Sequence, residues 1–166
     1  MLAAGTIPLE AYSQVFLSEE QSVKAIFPGE TLRKKTFELS KDEARKIADL
    51  TGERVRTNSI TAYVGAGKNV VFIDQVLGKH EYITYAVGVN KDGTVKGVEI
   101  LVYRETYGQQ VQGENWRKQF DGKNLHSPLK MNDDIQNISG ATLSSTHITG
   151  GVKRLLQTYE TIRERI

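Results

Sequence analysis

The sequence predicts an α+β domain, an antiparallel β-sheet meander packed with N-terminal helices and a C-terminal helix. Three observations lead there. Two serine-led capping boxes open short amphipathic segments early in the chain, the stretch from Val55 to Tyr103 alternates apolar and polar residues between turn-forming clusters, and apolar residues return to helical spacing after Ser144. With 166 residues, 39% hydrophobic and 25% charged, the chain reads as a single domain, 1–166. A chain of this size can remove roughly 70% of its extended surface from water without help from disulfides or metals.

The first helix is announced by Ser18-Glu19-Glu20-Gln21, where the serine hydroxyl and the glutamine side chain each satisfy one free backbone amide. Val23, Ile26 and Phe27 share its apolar face, and Pro28-Gly29 ends it. Ser40-Lys41-Asp42-Glu43 repeats the device ahead of Ala44, Ile47, Ala48 and Leu50, with Gly52 placed for a left-handed stop. Between the helices, Thr31 to Leu39 alternates like a short strand. Four strands follow as approximate segments Thr57 to Val64, Asn69 to Leu77, Tyr82 to Val89 and Thr94 to Tyr103. Gly65-Ala66-Gly67 reads as a hairpin connection, and Asp92-Gly93 is expected to supply the positive φ angles of a tight hairpin turn. With no crossover helices between them, the strands should pair antiparallel. The alternation Ile83, Tyr85, Val87, Val89 implies one buried face for the helices to cover. Glu114 to Phe120 reads as a short helix pinned by Trp116 and Phe120 at i and i+4. The last segment, about Ser144 to Arg165, sets Val152, Leu155, Leu156, Tyr159 and Ile162 on one face of a terminal helix.

Composition narrows the chemistry. There is no cysteine, which removes thiol nucleophiles, disulfides, iron–sulfur clusters and Cys-ligated zinc. His80, His126 and His147 are too scattered to spell a metal site. The 22 basic residues interleave with 20 acidic ones for a formal charge of +2, so no nucleic-acid partner is expected. No stretch approaches the ~18 to 20 apolar residues of a membrane-spanning helix. Met1-Leu2-Ala3-Ala4-Gly5 fits the trimmed end of a secretory signal and equally a disordered end, so residues 1–17 are set aside as flexible or signal-derived.

One stretch carries more than packing requires. From Ser139 to Thr149, six of eleven residues bear a hydroxyl, beside Gly140 and immediately before the terminal helix. Such a helix start suits an anion. Glycine lets the backbone approach closely, the first-turn amides lack partners, and the positive end of the helix dipole contributes ~0.3 to 1 kcal/mol toward a phosphate. An ordinary N-cap is the plain alternative, but it needs only one hydroxyl. The Gly-Lys-Ser/Thr ending of a P-loop and the dinucleotide glycine triplet are both absent.

Ser139-Gly140-Ala141-Thr142-Leu143-Ser144-Ser145 closely resembles the Ser-Gly-Ala-Thr-x-Ser-Ser signature of the FMN-binding domain family. That family includes the flavin-carrying subunits of the sodium-pumping NADH:quinone reductase and of the Rnf-type ferredoxin:NAD electron-transport complex. Glu105-Thr106-Tyr107-Gly108 resembles the family's Glu-Thr-Pro-Gly segment, with Tyr107 in place of the proline that would fix φ. The resemblance spans about Tyr82 to Leu156, the minimum motif-bearing region. It implies FMN joined as a phosphodiester to the hydroxyl of Thr142 by a flavin transferase that uses FAD as donor. Around that residue it implies cofactor-side places for Ser139, Gly140, Ala141, Leu143, Ser144 and Ser145, and for Glu105 and Thr106. A solvated strand end is the plain alternative for Glu105. Trp116 and Phe120 are expected in the core rather than on a flavin, and His147 either near the phosphate or simply exposed.

The resemblance further implies an electron-transfer flavoprotein, bacterial and extracytoplasmic, at the periplasmic or cell surface, passing electrons between protein partners such as membrane electron-transport subunits. Outside the cytoplasm no FMN pool replaces a lost cofactor, so a covalent tether has a purpose there. Two other readings stay open. One is an FMN-dependent reductase with its own small-molecule acceptor, and the other is a cofactor-free sensory or scaffold domain.

Overall fold

Both capping boxes form, and they set the starts of the first two helices in the computed structural model, which describes residues 14–166. In α1 (Glu19–Ile26) the Gln21 amide donates to the Ser18 hydroxyl and the Ser18 amide to the Gln21 side chain. In α2 (Lys41–Thr51) Ser40 and Glu43 make the same exchange, and Gly52 stops the helix at φ 74°. The expectations for the first thirteen residues, including the signal-like start, lie outside the described residues.

Six strands make one sheet: β1 (Gln14–Val15), β2 (Leu32–Glu38), β3 (Ser59–Gly65), β4 (Val70–Leu77), β5 (Tyr82–Val89) and β6 (Val95–Tyr103). Their order is β1-β6-β5-β4-β3-β2, and every neighbouring pair is antiparallel. The expected four-strand meander is therefore present and extended at both edges. β2 runs along β3 from Leu32 opposite Gly65 to Glu38 opposite Ser59, presenting the exposed cations Arg33, Lys34 and Lys35 on its length. β1 adds two residues beside the end of β6.

One turn differs from the sequence expectation. Between β5 and β6 only Gly93 takes a positive φ, 85°, while the Asp92 carboxylate accepts from the Thr94 amide at 3.0 Å. The Asn90 amide bonds the Thr94 carbonyl and the Gly93 amide the Asn90 carbonyl, both at 2.8 Å. This is the three-residue hairpin loop, a type I turn closed by one left-handed residue, rather than the two-residue turn. The β3–β4 connection has the same form, with its left-handed residue at Lys68 (φ 65°) and not at either glycine of Gly65-Ala66-Gly67.

The sheet is covered on both faces, where alternation suggested one. Ile83, Tyr85, Val87 and Val89 are wholly buried beneath α2 and α4 (Thr142–Ile162), which contribute Ile47, Ile148, Val152, Leu155 and Tyr159. On the other face Val23 and Ile26 of α1, with Phe27 at its C-cap, cover Tyr63, Val71, Ala86 and Leu101. The short helix α3 (Glu114–Arg117) and the single 3-10 turn after it bring Trp116 edge-on to Phe120, with ring centroids 5.1 Å apart. Both rings belong to the main core, as expected, and the Trp116 indole donates to the Gln136 carbonyl at 2.8 Å. Among the described residues, no helix is long and apolar enough to cross a membrane.

α4 starts two residues earlier than its apolar pattern indicated and is tied to the sheet at mid-length by a buried polar cluster. The Asp74 carboxylate of β4 accepts from the Tyr85 hydroxyl and from the Arg154 guanidinium, each at 2.5 Å. Burial first, and then the Asp74 charge, push the Tyr85 phenol well above its ordinary pKa, so it remains a neutral donor. Gly151 makes this approach possible, since a Cβ there would fall 2.0 Å from the Tyr85 hydroxyl oxygen. Alanine improves helix propensity by about 1 kcal/mol, whereas overpacking a fixed core side chain costs about 1 to 3 kcal/mol. Gly151→Ala is therefore expected to be destabilising by up to about 2 kcal/mol, read as an earlier midpoint in urea unfolding. An unchanged midpoint would mean that the tyrosine yields.

Candidate functional site

The chain enters α4 through a loop organised by one carboxylate. Asp134 accepts from the amides of Leu129 and Lys130 at 3.1 and 2.9 Å and pairs with Lys123 at 3.2 Å. These contacts hold a path in which Leu129 (φ 45°) and Asn132 (φ 62°) are both left-handed. Burial alone would raise the Asp134 pKa. The two amides and Lys123 outweigh it and keep the carboxyl below its ordinary value.

Beyond the loop lies the segment from Ser139 to Ser145. Gly140 takes φ 82°, a conformation that side chains with a Cβ adopt rarely. Ala141 is the N-cap residue and makes no side-chain capping bond, so the first-turn amides of α4 are left without the partner that a serine cap supplies. Thr142 is the first residue of α4 and is exposed, and its hydroxyl accepts from the Asn137 amide group at 3.3 Å. The Asn137 side-chain oxygen, 3.2 Å from the Ser145 hydroxyl, shares that hydroxyl's one proton with the Ala141 carbonyl and so bridges the two ends of the turn. It precedes the motif by two residues, and the sequence carried no signal of that role.

The hydroxyls divide into two sets. Ser144, Ser145 and Thr149 are buried. Ser145 and Thr149 return their protons to carbonyls of the preceding turn, those of Ala141 at 2.9 Å and Ser145 at 2.7 Å. Tyr103 donates its only proton to the Tyr107 carbonyl, so it accepts from Ser144, 3.1 Å away. Ser139, Thr142 and Thr146 remain exposed. Helix geometry turns half of the six hydroxyls inward, where an unpaired hydroxyl would be costly.

A cavity of about 540 Å³ opens beside the turn. Its walls are Gly140 to Ser144, the segment Glu105-Thr106-Tyr107 after β6, and Lys79 and His80 from the β4–β5 turn. Ser139 and Ser145 lie outside this lining, as do Trp116 and Phe120. Glu105 is not a solvated strand end. It is 8% exposed, and its Oε1 accepts from the Glu81 amide at 2.9 Å and from the His80 amide, so it holds the β4–β5 turn against the end of β6. His147 is half-buried and bonds the Leu77 carbonyl through Nδ1, tying the same turn to α4 instead of facing the cavity. Lys79 and the open end of α4 bring positive charge to the cavity wall, and Glu105 brings negative charge.

Two outcomes follow. Glu105→Ala removes a charged acceptor worth about 1.5 to 3 kcal/mol and should speed hydrogen exchange at the amides of His80 and Glu81, with Glu105→Gln intermediate because its amide oxygen still accepts. Unaltered exchange in Glu105→Ala would show that the turn stands without it. Because the folded Asp134 pKa is lowered, its stabilisation is complete above the unfolded value of about 3.9 and is lost as pH falls through the folded one. The melting-temperature gap between wild type and Asp134→Asn should therefore be full at neutral pH and close under acid conditions, and a gap independent of pH would contradict that linkage.

Residues 78–157, which include Glu105 and the whole turn from Ser139 to Ser145, match the model of the family described as FMN-binding domain. Among curated proteins, a component of the Na(+)-translocating ferredoxin:NAD(+) oxidoreductase complex of Acetobacterium woodii is 25% identical over 134 residues, covering 72% of this chain. The match spans 65% of that relative's own length. Among solved structures, NqrC of Shewanella oneidensis superposes with a TM-score of 0.58 at 17% identity, covering 90% of each chain, a likeness of fold. Residues 78–157, just under half of the chain, are thus similar to the FMN-binding domain family.

Proposed function

We propose that this protein is an electron-transfer flavoprotein carrying FMN joined through its phosphate to Thr142. The observation that carries the reading is the placement of that residue. Within an intact Ser-Gly-Ala-Thr-x-Ser-Ser turn, Thr142 is the exposed first residue of α4, on the wall of a cavity of about 540 Å³. The residues fit the group. A volume of this order lies within the ~300 to 1,000 Å³ range of cofactor sites. Uncapped amides and the Lys79 ammonium suit a phosphate, and Tyr107 and Leu143 offer apolar surface to a ring. FMN would supply one- and two-electron transfer.

Attachment from FAD balances simply. The Thr142 oxygen forms a bond to the phosphorus of the FMN half, the phosphoanhydride bond to the other half breaks, AMP departs, and the hydroxyl proton goes to a base of the flavin transferase. The chain then needs only to present the hydroxyl, and the exposure of Thr142 supports that division of labour. Buried Ser144 and Ser145 hold the turn from beneath, and Gly140 and Ala141 leave its backbone open. The relative from Acetobacterium woodii is named as part of a redox complex, which supports protein partners for electron exchange here. A site outside the cytoplasmic membrane follows from the purpose of a tether.

Coexpression with a flavin transferase should raise the intact mass of the full chain by one FMN less one water. Thr142→Val keeps the side-chain volume and should fold but remain colourless and unmodified. A yellow, mass-shifted Thr142→Val protein would reject Thr142 as the acceptor, and an unmodified wild type would reject the carrier reading in favour of a scaffold. Turnover of a small-molecule acceptor by the loaded protein alone would favour the reductase.

A further inference from the structure

The geometry points to Tyr107 as the side chain that lies against the flavin ring, an inference that rests on the FMN reading above. Among the described residues Tyr107 is the most exposed large hydrophobic side chain, at 78%. A phenol so open buries almost nothing within the chain, yet its backbone is firmly placed. The Tyr107 carbonyl accepts from the Tyr103 hydroxyl, which accepts in turn from Ser144 of the signature turn. The next residue, Gly108, sits at φ 89°, where a Cβ would come within 2.4 Å of the Tyr103 hydroxyl oxygen and 3.2 Å of Ser144 Oγ. The segment bearing the free ring is thus built into one hydrogen-bonded chain with the segment bearing Thr142.

Tyr107 and Leu143, the latter 47% exposed, both line the cavity that Thr142 enters. A hydrogen-bonded backbone presenting an exposed aromatic ring is a preorganised contact, because a tyrosine orders only two side-chain torsions on binding. The isoalloxazine is planar and electron-poor and the phenol electron-rich, which favours offset stacking. The proline that the family pattern has at this position offers no such ring. Stacked phenol also dims flavin emission: one electron passes from the phenol to the excited ring and returns, with no net reaction.

The test uses the flavinylated full chain and its Tyr107→Ala, Tyr107→Pro and Tyr107→Phe variants, each verified by intact mass, together with binding of free FMN to the unmodified proteins. Emission per flavin should rise severalfold in Tyr107→Ala and Tyr107→Pro. Free FMN should bind about fivefold more weakly to Tyr107→Ala, as expected for loss of one aromatic pair, and with nearly unchanged affinity to Tyr107→Phe. Emission and affinity unchanged in Tyr107→Ala, on a wild type that carries flavin, would overturn this inference alone. A wild type that takes up no flavin would overturn it together with the proposed function.

Discussion

The contact among Arg154, Asp74 and Tyr85 governs where α4 lies, and α4 governs where Thr142 lies. The guanidinium and the carboxylate are both largely withdrawn from water, with side-chain exposures of 6% and 16%. Buried pairs of this kind contribute little net stability compared with apolar packing, but losing one partner strands the other. Their consequence is positional. Each residue of an α-helix advances the axis about 1.5 Å and turns it about 100°, so Thr142 stands about 18 Å from Arg154 in a fixed direction. A slip of one residue would aim the threonine away from the cavity and leave Asp74 without its cation.

The far wall of the cavity depends on a second buried carboxylate. Glu105 gathers the amides of His80 and Glu81, and His147 holds the Leu77 carbonyl, so the β4–β5 turn is tied both to the end of β6 and to α4. Three segments distant in sequence thereby meet at one opening. On the proposed reading, a phosphodiester prevents dissociation and the protein has no need to enclose the ring. A half-open cavity then retains the cofactor while leaving a path for electrons to a docked protein.

Much of this architecture was legible in the sequence because the signals were local. Ser18 with Gln21 and Ser40 with Glu43 write their own hydrogen bonds, and period-two alternation between Tyr82 and Val89 located β5 at its observed ends. The turn from Ser139 to Ser145 was legible as a motif. Most of what escaped depends on tertiary contact. Nothing in the sequence near Glu105 reveals that two amides from a turn more than twenty residues earlier will surround it. Lys68 takes the left-handed position beside two glycines because the hairpin register places it there. Cover on the second face of the sheet was missed although the unbroken apolar runs Val70-Val71-Phe72-Ile73 and Ile100-Leu101-Val102 carried it, as strands buried on both sides do.

At the side of the sheet remote from β6, β2 ends the meander, and among the described residues no strand pairs with its outer row of backbone donors and acceptors. Arg33, Lys34 and Lys35 stand along that border. A second strand adding there would bring like charges into register, which disfavours fibre growth and domain exchange at the border. Many copies can then crowd together while that border resists polymerisation.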